Sequence, residues 1–171
     1  MKLIAKSKRL NIRELNEFDA QFILELTNSA GWIRYIGARN ISTIAEGLDY
    51  IKSGPEKSYQ ENGFGLWAVV KNKGNDTMGL CGIIKLNPLS QPDIGFAFLP
   101  KYEGKGYAYE AARLCIGIAF DQYRLDQLKG IVMPNNMRSI QLLQRLGMTY
   151  RDTDHQQNLD TYVLINNTVA I

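Results

Sequence analysis

Two spacings of apolar residues divide the chain into strands and helices. Alternation with a period of two, or a short uninterrupted apolar run, marks strands, whereas a spacing of three and four marks helices. Short polar connections join the second, third and fourth strand segments, which predicts an antiparallel meander, and the last two segments form a predicted hairpin. The predicted strands are 8–15, 64–71, 78–86, 93–99, 128–132, 149–151 and 159–165.

Helical spacing occurs in four segments, and capping residues mark the beginning or end of three of them. Asn16 with Asp19 and Thr43 with Glu46 fit N-terminal caps, and Gly147 fits a C-terminal cap. No repeat or linker interrupts the order of elements, so the sequence predicts one α+β domain over residues 1–171. The predicted helices are about 17–28, 43 to Gly54-Pro55, 106–123 and 136–146.

Composition narrows the class of protein. The chain has 171 residues, 45% of them apolar and 22% charged, which suits one compact soluble domain with a buried core. No apolar run has the length of a signal peptide or a membrane span, which predicts a cytoplasmic protein that makes no membrane contact. The two cysteines, Cys81 and Cys115, lie in apolar patterns, and we expect them to be reduced core residues.

Charge and histidine content exclude functions more than they identify one. A net charge of +3 fits a small polyanionic ligand as well as nucleic acid, and no basic patch is dense enough to favour RNA binding. The single histidine, His155, excludes the common multi-histidine zinc sites. It stands in a polar run typical of an exposed hairpin loop. We therefore expect no metal site.

One stretch combines a strand, a glycine-rich turn and the start of the longest helix. Pro100 ends the apolar strand 93–99 because proline lacks the amide of a continuing strand. Gly104 and Gly106 then precede the helix that begins near Tyr107. Free backbone amides and the positive end of the helix dipole coincide there, which is typical of a phosphate site. Neither the Rossmann nor the P-loop fingerprint fits, and an ordinary strand–turn–helix connection is the alternative.

The segment 31–40 is bounded by glycine and is rich in aromatic and basic residues. As a connecting loop it would line a substrate site, with Trp32, Arg34 and Arg39 as contacts and the two arginines available to an acidic group. The alternative is a helix end packed by Trp32 and Tyr35. The sequence leaves both interpretations open.

Two motifs, in this order along the chain, resemble one family. The loop reads Glu103-Gly104-Lys105-Gly106-Tyr107-Ala108, and roughly 30 residues later come Asn136-Met137-Arg138-Ser139 and a helix ending in Leu146-Gly147-Met148. With the order of strands and helices, they resemble the Gcn5-related N-acetyltransferases (GNAT), within them the branch that includes the ribosomal-protein N-terminal acetyltransferases. The resemblance implies a mainly antiparallel central sheet of about seven strands with helices on both faces.

Two positions depart from the family pattern. Glu103 stands where the family has Gln or Arg, and we expect the backbone amides of the loop to bind phosphate despite this like charge. Leu143 stands where many relatives have a tyrosine that protonates the leaving thiolate. The resemblance then assigns this protonation to Ser139 or to a water molecule.

The resemblance implies acetyl-CoA as the co-substrate. Amides of the glycine loop would bind its diphosphate, and its pantetheine arm would pair with the strand edge at 96–99 as an added strand does. A bulge in that strand is expected to free the N–H of Phe96 or Ala97 for the thioester oxygen. The predicted acetyl-CoA contacts are Phe96, Ala97, Phe98, Leu99, Glu103, Gly104, Lys105, Gly106, Tyr107, Ala108, Asn136 and Ser139.

Asp93 and Ser139 are the candidate catalytic residues. An attacking amine must be neutral, and Asp93 at the entrance of the central strand is the candidate base. The alternative interpretation of Asp93 is a solvated carboxylate at a strand end, without a catalytic role. Ser139 and Asn136 also have plain structural interpretations, as a first-turn serine and a helix cap.

These features predict an enzyme that transfers the acetyl group of acetyl-CoA to a primary amine by direct attack in a ternary complex. The acceptor is a protein N-terminus or a small molecule, in a pocket expected from segments 31–40 and 55–63 and the final hairpin. A non-catalytic acyl-CoA sensor is one alternative. Another is an RNA-contacting ribosome-associated module, motivated by Lys2, Lys6, Lys8 and Arg9. The oligomeric state is open, with a homodimer as one option.

Overall fold

The computed structural model describes residues 2–85 and 90–166, and in this part of the chain eight strands form one mixed sheet. Their order is β1-β2-β3-β4-β5-β6-β8-β7, and every neighbouring pair is antiparallel except β5 and β6. The strands are β1 (Leu3–Lys6), β2 (Leu10–Arg13), β3 (Leu66–Lys71), β4 (Thr77–Ile84), β5 (Asp93–Phe98), β6 (Gln127–Val132), β7 (Thr149–Asp154) and β8 (Leu159–Ile165). The predicted fold class is confirmed, with eight strands in place of about seven.

Helices lie on both faces of this sheet. The N-terminal caps predicted at Asn16 and Thr43 are present, each as a complete capping box, and Gly147 adopts the predicted left-handed conformation after the last helix. The helices are α1 (Ala20–Thr27), α2 (Ala30–Tyr35), α3 (Ile44–Ile51), α4 (Lys57–Asn62), α5 (Tyr107–Asp121) and α6 (Met137–Arg145). None of the helices described is long and apolar enough to cross a membrane.

Two apolar cores hold the helices to the sheet. The core beneath α5 and α6 includes Met78, Cys81, Ala111, Cys115, Leu128 and Leu143. The core beneath α1, α2 and α3 includes Leu26, Trp32, Ile51, Leu80 and Leu99. Cys81 and Cys115 are both buried and free, as the sequence predicts.

β1 is the strand that the apolar pattern misses. It lies at the edge of the sheet, pairs only with β2 among the described strands, and has no fully buried side chain. A strand without a buried face shows no clear alternation, so its sequence carries little signal. The predicted meander and final hairpin are confirmed by the pairings of β3, β4 and β5 and of β7 and β8. The predicted strand end at Leu86 and the connector 87–89 lie outside the described residues.

The predicted end of the second helix at Gly54-Pro55 is wrong. A π-helical turn, Lys52–Glu56, accommodates Pro55 and leads directly into α4. A wider turn tolerates the missing amide and the ring of proline better than an α-helical turn does. The helix ends instead at Gly63, whose φ is 77°. The segment 55–63, expected as an acceptor loop, is therefore mostly helical.

Candidate active site

A cleft opens in the middle of the sheet, where β5 and β6 run parallel. The two strands pair at Asp93 and Lys129, and the Lys129 amide donates to the Pro92 carbonyl over 3.0 Å. No pairing continues between the later parts of these two described strands. Gly95, Phe96 and Ala97 are accordingly half-exposed although β5 lies in the centre of the sheet. The strands thus separate toward the C-terminal end of β5.

The edge of β5 that faces this cleft carries backbone groups without a strand partner. The Leu99 amide donates to Met78 over 3.0 Å, so alternation makes Ala97 and Gly95 the residues bonded to β4. The N–H and C=O groups of Phe96 and Phe98 therefore point toward the cleft. An extended ligand arm could pair with this edge as an added strand does.

The expected bulge in β5 is absent. The register of β4 and β5 is continuous from the pair Gly79–Phe98 to the pair Ile84–Asp93. An open amide arises here because β6 diverges from β5, so no extra residue is needed. Of the two amides proposed from the sequence, that of Phe96 faces the cleft and that of Ala97 faces β4.

The loop between β5 and α5 forms an open cradle. Gly104 and Gly106 have φ values of 71° and 78°, which β-carbon-bearing residues rarely adopt. Gly106 is the N-cap of α5, and no side chain caps this helix end. A β-carbon placed on Gly104 would meet no atom within 4 Å. The amides of the first helical turn are thus available to an anion, and the space beside Gly104 is open.

Arg9, from the turn between β1 and β2, holds this loop in place. Its guanidinium donates to the Lys105 carbonyl over 3.0 Å and to Glu110 over 2.6 Å, and it lies 4.7 Å from the centre of the Tyr107 ring. Ser7 donates to the other oxygen of Glu110 over 2.6 Å. Burial raises the pKa of Glu110, but the bonds from Ser7 and Arg9 and the Arg9 charge outweigh it and leave the pKa below its ordinary value. The sequence identifies Arg9 only as one of four basic residues near the N-terminus and does not predict its contact with the loop.

The two family-like motifs meet across the mouth of the cleft. Arg138 in α6 binds Glu103 with an N···O distance of 2.9 Å. Both side chains are substantially exposed, so this pair adds little stability, but it places a positive charge beside the unusual glutamate. Because Arg138 partly neutralises Glu103, the carboxylate is compatible with an anion at the neighbouring amides. The Lys105 side chain turns back to the Lys101 carbonyl.

Asn136 and Ser139 lie at the start of α6. The Asn136 side chain accepts a hydrogen bond from the Ser139 amide over 3.3 Å and so caps the helix. The Ser139 hydroxyl is half-buried and has no hydrogen-bond partner among the described residues. Leu143, one turn further along, is fully buried against Gly130. Leu143 belongs to the core, where the hydroxyl of a tyrosine at the same position would need a hydrogen-bond partner.

Asp93 lies at the closed end of the cleft. It shares a strand face with Ala97, which packs against the core of α1 to α3, whereas α6 packs on the opposite face of the sheet. Asp93 and helix α6, which carries Ser139, therefore lie on opposite faces of the sheet. Burial raises the pKa of Asp93 to about 6, despite the opposing effect of the Lys129 charge. A carboxylate with this pKa is ionised at neutral pH and is a competent proton acceptor.

The three residues proposed for the acceptor occupy different environments. Trp32 lies inside α2 with 4% of its surface exposed, which matches the alternative of a packed helix end. Arg34 is exposed and lies 5.1 Å from the Tyr35 ring. Arg39 follows α2 at the edge of a shallow depression on α3. A β-carbon on Gly31 would lie 3.8 Å from Glu103, so the start of α2 adjoins the cleft mouth.

His155 lies exposed in the turn between β7 and β8, as predicted from its polar run. Within residues 2–85 and 90–166, no three side chains of His, Cys, Asp or Glu come together as metal ligands do.

Solved structures share this fold. An acetyltransferase from Agrobacterium tumefaciens str. C58 aligns with a TM-score of 0.83 at 21% identity, covering 97% of this chain and 95% of that one. RimL, a ribosomal L7/L12 α-N-protein acetyltransferase, aligns with a TM-score of 0.83 at 14% identity over 96% and 94% of the two chains. A Vibrio cholerae spermidine N-acetyltransferase in complex with CoA and spermine aligns with a TM-score of 0.78 at 17% identity, covering 93% of this chain and 96% of that one. The fold is therefore that of the acetyltransferases.

The sequence places the chain in one family. The model of the acetyltransferase (GNAT) domain matches residues 9–149, and the chain belongs to this family. The uncharacterized protein YkkB of Bacillus subtilis (strain 168) is 31% identical over 105 residues, which are 60% of this chain and 59% of that protein. The spermidine N(1)-acetyltransferase of Escherichia coli (strain K12) is 28% identical over 142 residues, covering 82% of this chain and 73% of that enzyme.

Proposed function

We propose that this protein transfers the acetyl group of acetyl-CoA to a primary amine by direct attack in a ternary complex. One observation carries the proposal. The open edge of β5 and the uncapped glycine loop are joined by a single short segment, residues 99–103, so one elongated ligand can contact both. Acetyl-CoA has the matching parts, a diphosphate for the loop and an amide-bearing arm for the strand edge.

The donor half of the site is built mainly from backbone. Amides at Gly104 to Ala108 would hold the diphosphate, and Phe96 and Phe98 would pair with the arm. The Phe96 amide would then donate to the thioester oxygen, where negative charge develops during attack. Removing one such donor typically costs about 3 kcal/mol of transition-state stabilisation. When bound, acetyl-CoA supplies the activated acetyl group and the thiol leaving group.

Asp93 is the proposed base. An amine that arrives protonated must lose its proton before it can attack the thioester. Asp93 lies at the closed end of the cleft, beside the strand edge that would hold the thioester, and its pKa of about 6 leaves it ionised at neutral pH. Transfer to it occurs directly or through a water molecule.

For protonation of the departing thiolate, the candidates are Ser139 and a water molecule. Ser139 lies in α6, on the opposite face of the sheet from Asp93, and its hydroxyl is not engaged by another described residue. Leu143 is buried and provides no proton donor.

The acceptor class is a primary amine, either a protein N-terminus or a small molecule. A protein N-terminus is the kind of acceptor that the name of one similar protein gives, a ribosomal L7/L12 α-N-protein acetyltransferase. A small-molecule amine is the kind that the name of another gives, a spermidine N(1)-acetyltransferase. The RNA-contacting alternative loses support because two of the four basic N-terminal residues are paired, Lys2 with Glu14 and Arg9 with Glu110.

A screen of amine classes tests this proposal. Purified protein is incubated with acetyl-CoA and, separately, with peptides bearing free N-termini, polyamines, aminoglycosides or amino acids, and free CoA thiol is measured. We expect acetyl-CoA to raise the melting temperature and thiol release to require one acceptor class. Stabilisation by acetyl-CoA without release on any acceptor would indicate the sensor function. Salt-dependent RNA binding without an effect of acetyl-CoA would indicate the RNA-contacting alternative.

Gly106→Trp tests the position of the diphosphate. The substitution places a ring in front of the α5 amides and should abolish the thermal shift caused by acetyl-CoA. Gly74→Trp is the matched control, because Gly74 also has a positive φ, 94°, but lies in the turn between β3 and β4. A Gly106→Trp protein that is still stabilised by acetyl-CoA as strongly as the control would contradict the placement.

A further inference from the structure

One row of side chains crosses the sheet at the closed end of the cleft. Asp93 pairs in register with Ile84 of β4 and with Lys129 of β6. Lys129 in turn pairs with Val163 of β8. Residues paired in register point to the same face of a sheet, so these four side chains share one face. Leu128, the neighbour of Lys129, belongs to the core beneath α5 and α6, which confirms that Lys129 points to the opposite face. Lys129 is therefore the charged residue beside the proposed base in this row.

This face of β6 and β8 is open to an acceptor. Among the residues that the structure describes, none from these two strands belongs to the core beneath α1, α2 and α3. Ile131, two residues after Lys129 and on the same face, has 46% of its surface exposed. An amine that approaches Asp93 from this side would therefore lie beside Lys129, with Ile131 next to it along β6.

Lys129 is half-buried, and its charge is not paired. In the described ranges of the chain it forms no ion pair with a carboxylate, Asp93 included. Its charge nevertheless acts on Asp93, because it opposes the effect of burial on the pKa of that carboxyl group. The residue paired with Asp93 on its other side, Ile84, is apolar. Of the two residues that flank Asp93 in this row, only Lys129 thus carries a charge.

A carboxylate base with an ammonium group on the neighbouring strand is complementary to an α-amine. Neighbouring strands lie about 4.8 Å apart, so one small ligand can contact both side chains. An α-amine carries its reacting nitrogen and a carboxylate or carbonyl oxygen on adjacent carbon atoms. The nitrogen would release its proton toward Asp93, and the oxygen would accept a hydrogen bond from Lys129. A polyamine would instead bring a second positive charge close to Lys129, which like-charge repulsion disfavours.

We infer that Lys129 determines acceptor specificity by binding the oxygen next to the reacting nitrogen, so that the acceptor is an α-amine, of a free amino acid or a peptide N-terminus, and not a polyamine. This inference rests on the proposed function, since it concerns the acceptor of the same reaction. Ile84, Val163 and Ile131 add apolar surface on the same face, which fits an aliphatic side chain on the acceptor.

A matched series of amines tests the inference, with CoA release measured at saturating acetyl-CoA. Leucine, leucinamide and isopentylamine carry the same aliphatic group and differ in having a carboxylate, an amide carbonyl or neither. For the native protein, kcat/KM with leucine or leucinamide should exceed that with isopentylamine or spermidine about tenfold. A preference for leucine over leucinamide would identify free amino acids as the acceptors. Equal or better use of leucinamide would identify peptide N-termini.

Because these amines also differ in basicity, the decisive comparison is between variants. In Lys129→Met the preference for the α-amine over isopentylamine should fall about tenfold through a higher acceptor KM, whereas Lys129→Arg should retain it. Lys129→Glu should raise kcat/KM for spermidine about tenfold, because a carboxylate then replaces the repelling charge. The control is Lys73→Met, an exposed lysine in the β3–β4 turn, which should behave as the native protein does.

The pH profile gives a second measurement, which a merely structural lysine would not change. The Lys129 charge holds the pKa of Asp93 below the value that burial alone would give. Its removal in Lys129→Met should raise this pKa, so kcat should begin to fall at a higher pH on acidification than in the native protein. Lys129→Arg should restore the native profile.

Efficient acetylation of spermidine but of neither leucine nor leucinamide by the native protein would overturn the inference and leave the proposed function intact. An unchanged amine preference and pH profile in Lys129→Met would do the same. Absence of thiol release with every amine, including the classes of the amine screen, would overturn the proposed function as well.

Discussion

Replacing Asp93 with Asn separates its catalytic effect from its effect on stability. The two side chains have nearly the same shape, so the change removes the charge and the basicity while leaving the backbone pairing of β5 in place. If Asp93 is the base, the loss of general-base catalysis should lower kcat by about 10²- to 10⁴-fold. The assay is CoA release at saturating acetyl-CoA with the acceptor found in the amine screen.

Asp93→Asn should lower the activity but raise the free energy of unfolding at neutral pH. Burial raises the pKa of Asp93 from 3.8 to about 6, so the folded protein binds this proton more tightly than the unfolded chain does. The contribution of Asp93 to the free energy of unfolding therefore falls as pH rises from about 4 to 6 and stays low above that. A difference of about two pKa units corresponds to about 3 kcal/mol, which is an upper value because Asp93 is only partly buried.

Asp93→Asn should therefore be more stable than the native protein at pH 7 and similar to it near pH 4, as measured by urea unfolding across this pH range. In the native enzyme, kcat should fall below pH 6 as Asp93 becomes protonated. The control is Asp152→Asn, an exposed position on β7, which should change neither quantity. Full activity of Asp93→Asn would remove Asp93 from the mechanism, and a loss of stability at pH 7 would show that its carboxylate supports the fold instead.

Four further substitutions test the glycine loop, the proton donor, the sheet and helix α5. Arg9→Ala should raise the KM for acetyl-CoA about tenfold with little change in kcat, because the glycine loop loses its hydrogen bond and ring contact, and an unchanged KM would contradict this role. Ser139→Ala should lower kcat at least tenfold in the same assay if the hydroxyl protonates the thiolate, and an unchanged kcat would assign that step to water. Gly82→Ala should lower the free energy of unfolding by about 3 kcal/mol, because the new methyl group would lie 2.0 Å from the Gly65 carbonyl oxygen. Gly117→Ala in α5, with no atom nearer than 3.9 Å, should instead be neutral or stabilising by up to about 1 kcal/mol in urea unfolding.

The sequence predicts the parts of the fold whose signals are local. Capping boxes at Asn16 and Thr43, and the glycine at 147, mark helix ends because the residues that satisfy the backbone are neighbours in the chain. The strands of the meander are buried and apolar, so their pattern is strong. β1 lacks such a pattern because it has no buried face. The helix end predicted at Pro55 is wrong for a different reason, because only the neighbouring turns decide whether a helix can widen around a proline.

The candidate site contains features that no local pattern can reveal. Arg9 and Lys105 are far apart in the chain, and their contact depends on how β1 and β2 pack beside α5. The pairing of Glu103 with Arg138 likewise follows from the crossing of α6 near the loop. The free amide of Phe96 arises from the divergence of β5 and β6, a property of sheet geometry. Sequence motifs locate the glycine loop and the start of α6, whereas tertiary packing determines which of their groups remain available.

The separation of the two ends of β5 restricts the class of donor. Asp93 and Phe98 are five residue steps apart along an extended strand, about 16 Å, and the glycine loop lies beyond Phe98. A nucleoside triphosphate bound at this loop would keep its reactive phosphorus at the loop, too far from Asp93 for proton transfer to this proposed base. A donor that uses both ends must therefore carry its reactive carbonyl at the end of a long arm, and an arm able to pair with the open strand edge would be oriented on the way. Acyl thioesters of coenzyme A have this construction, which is why the distance along β5 supports acyl transfer over phosphoryl transfer.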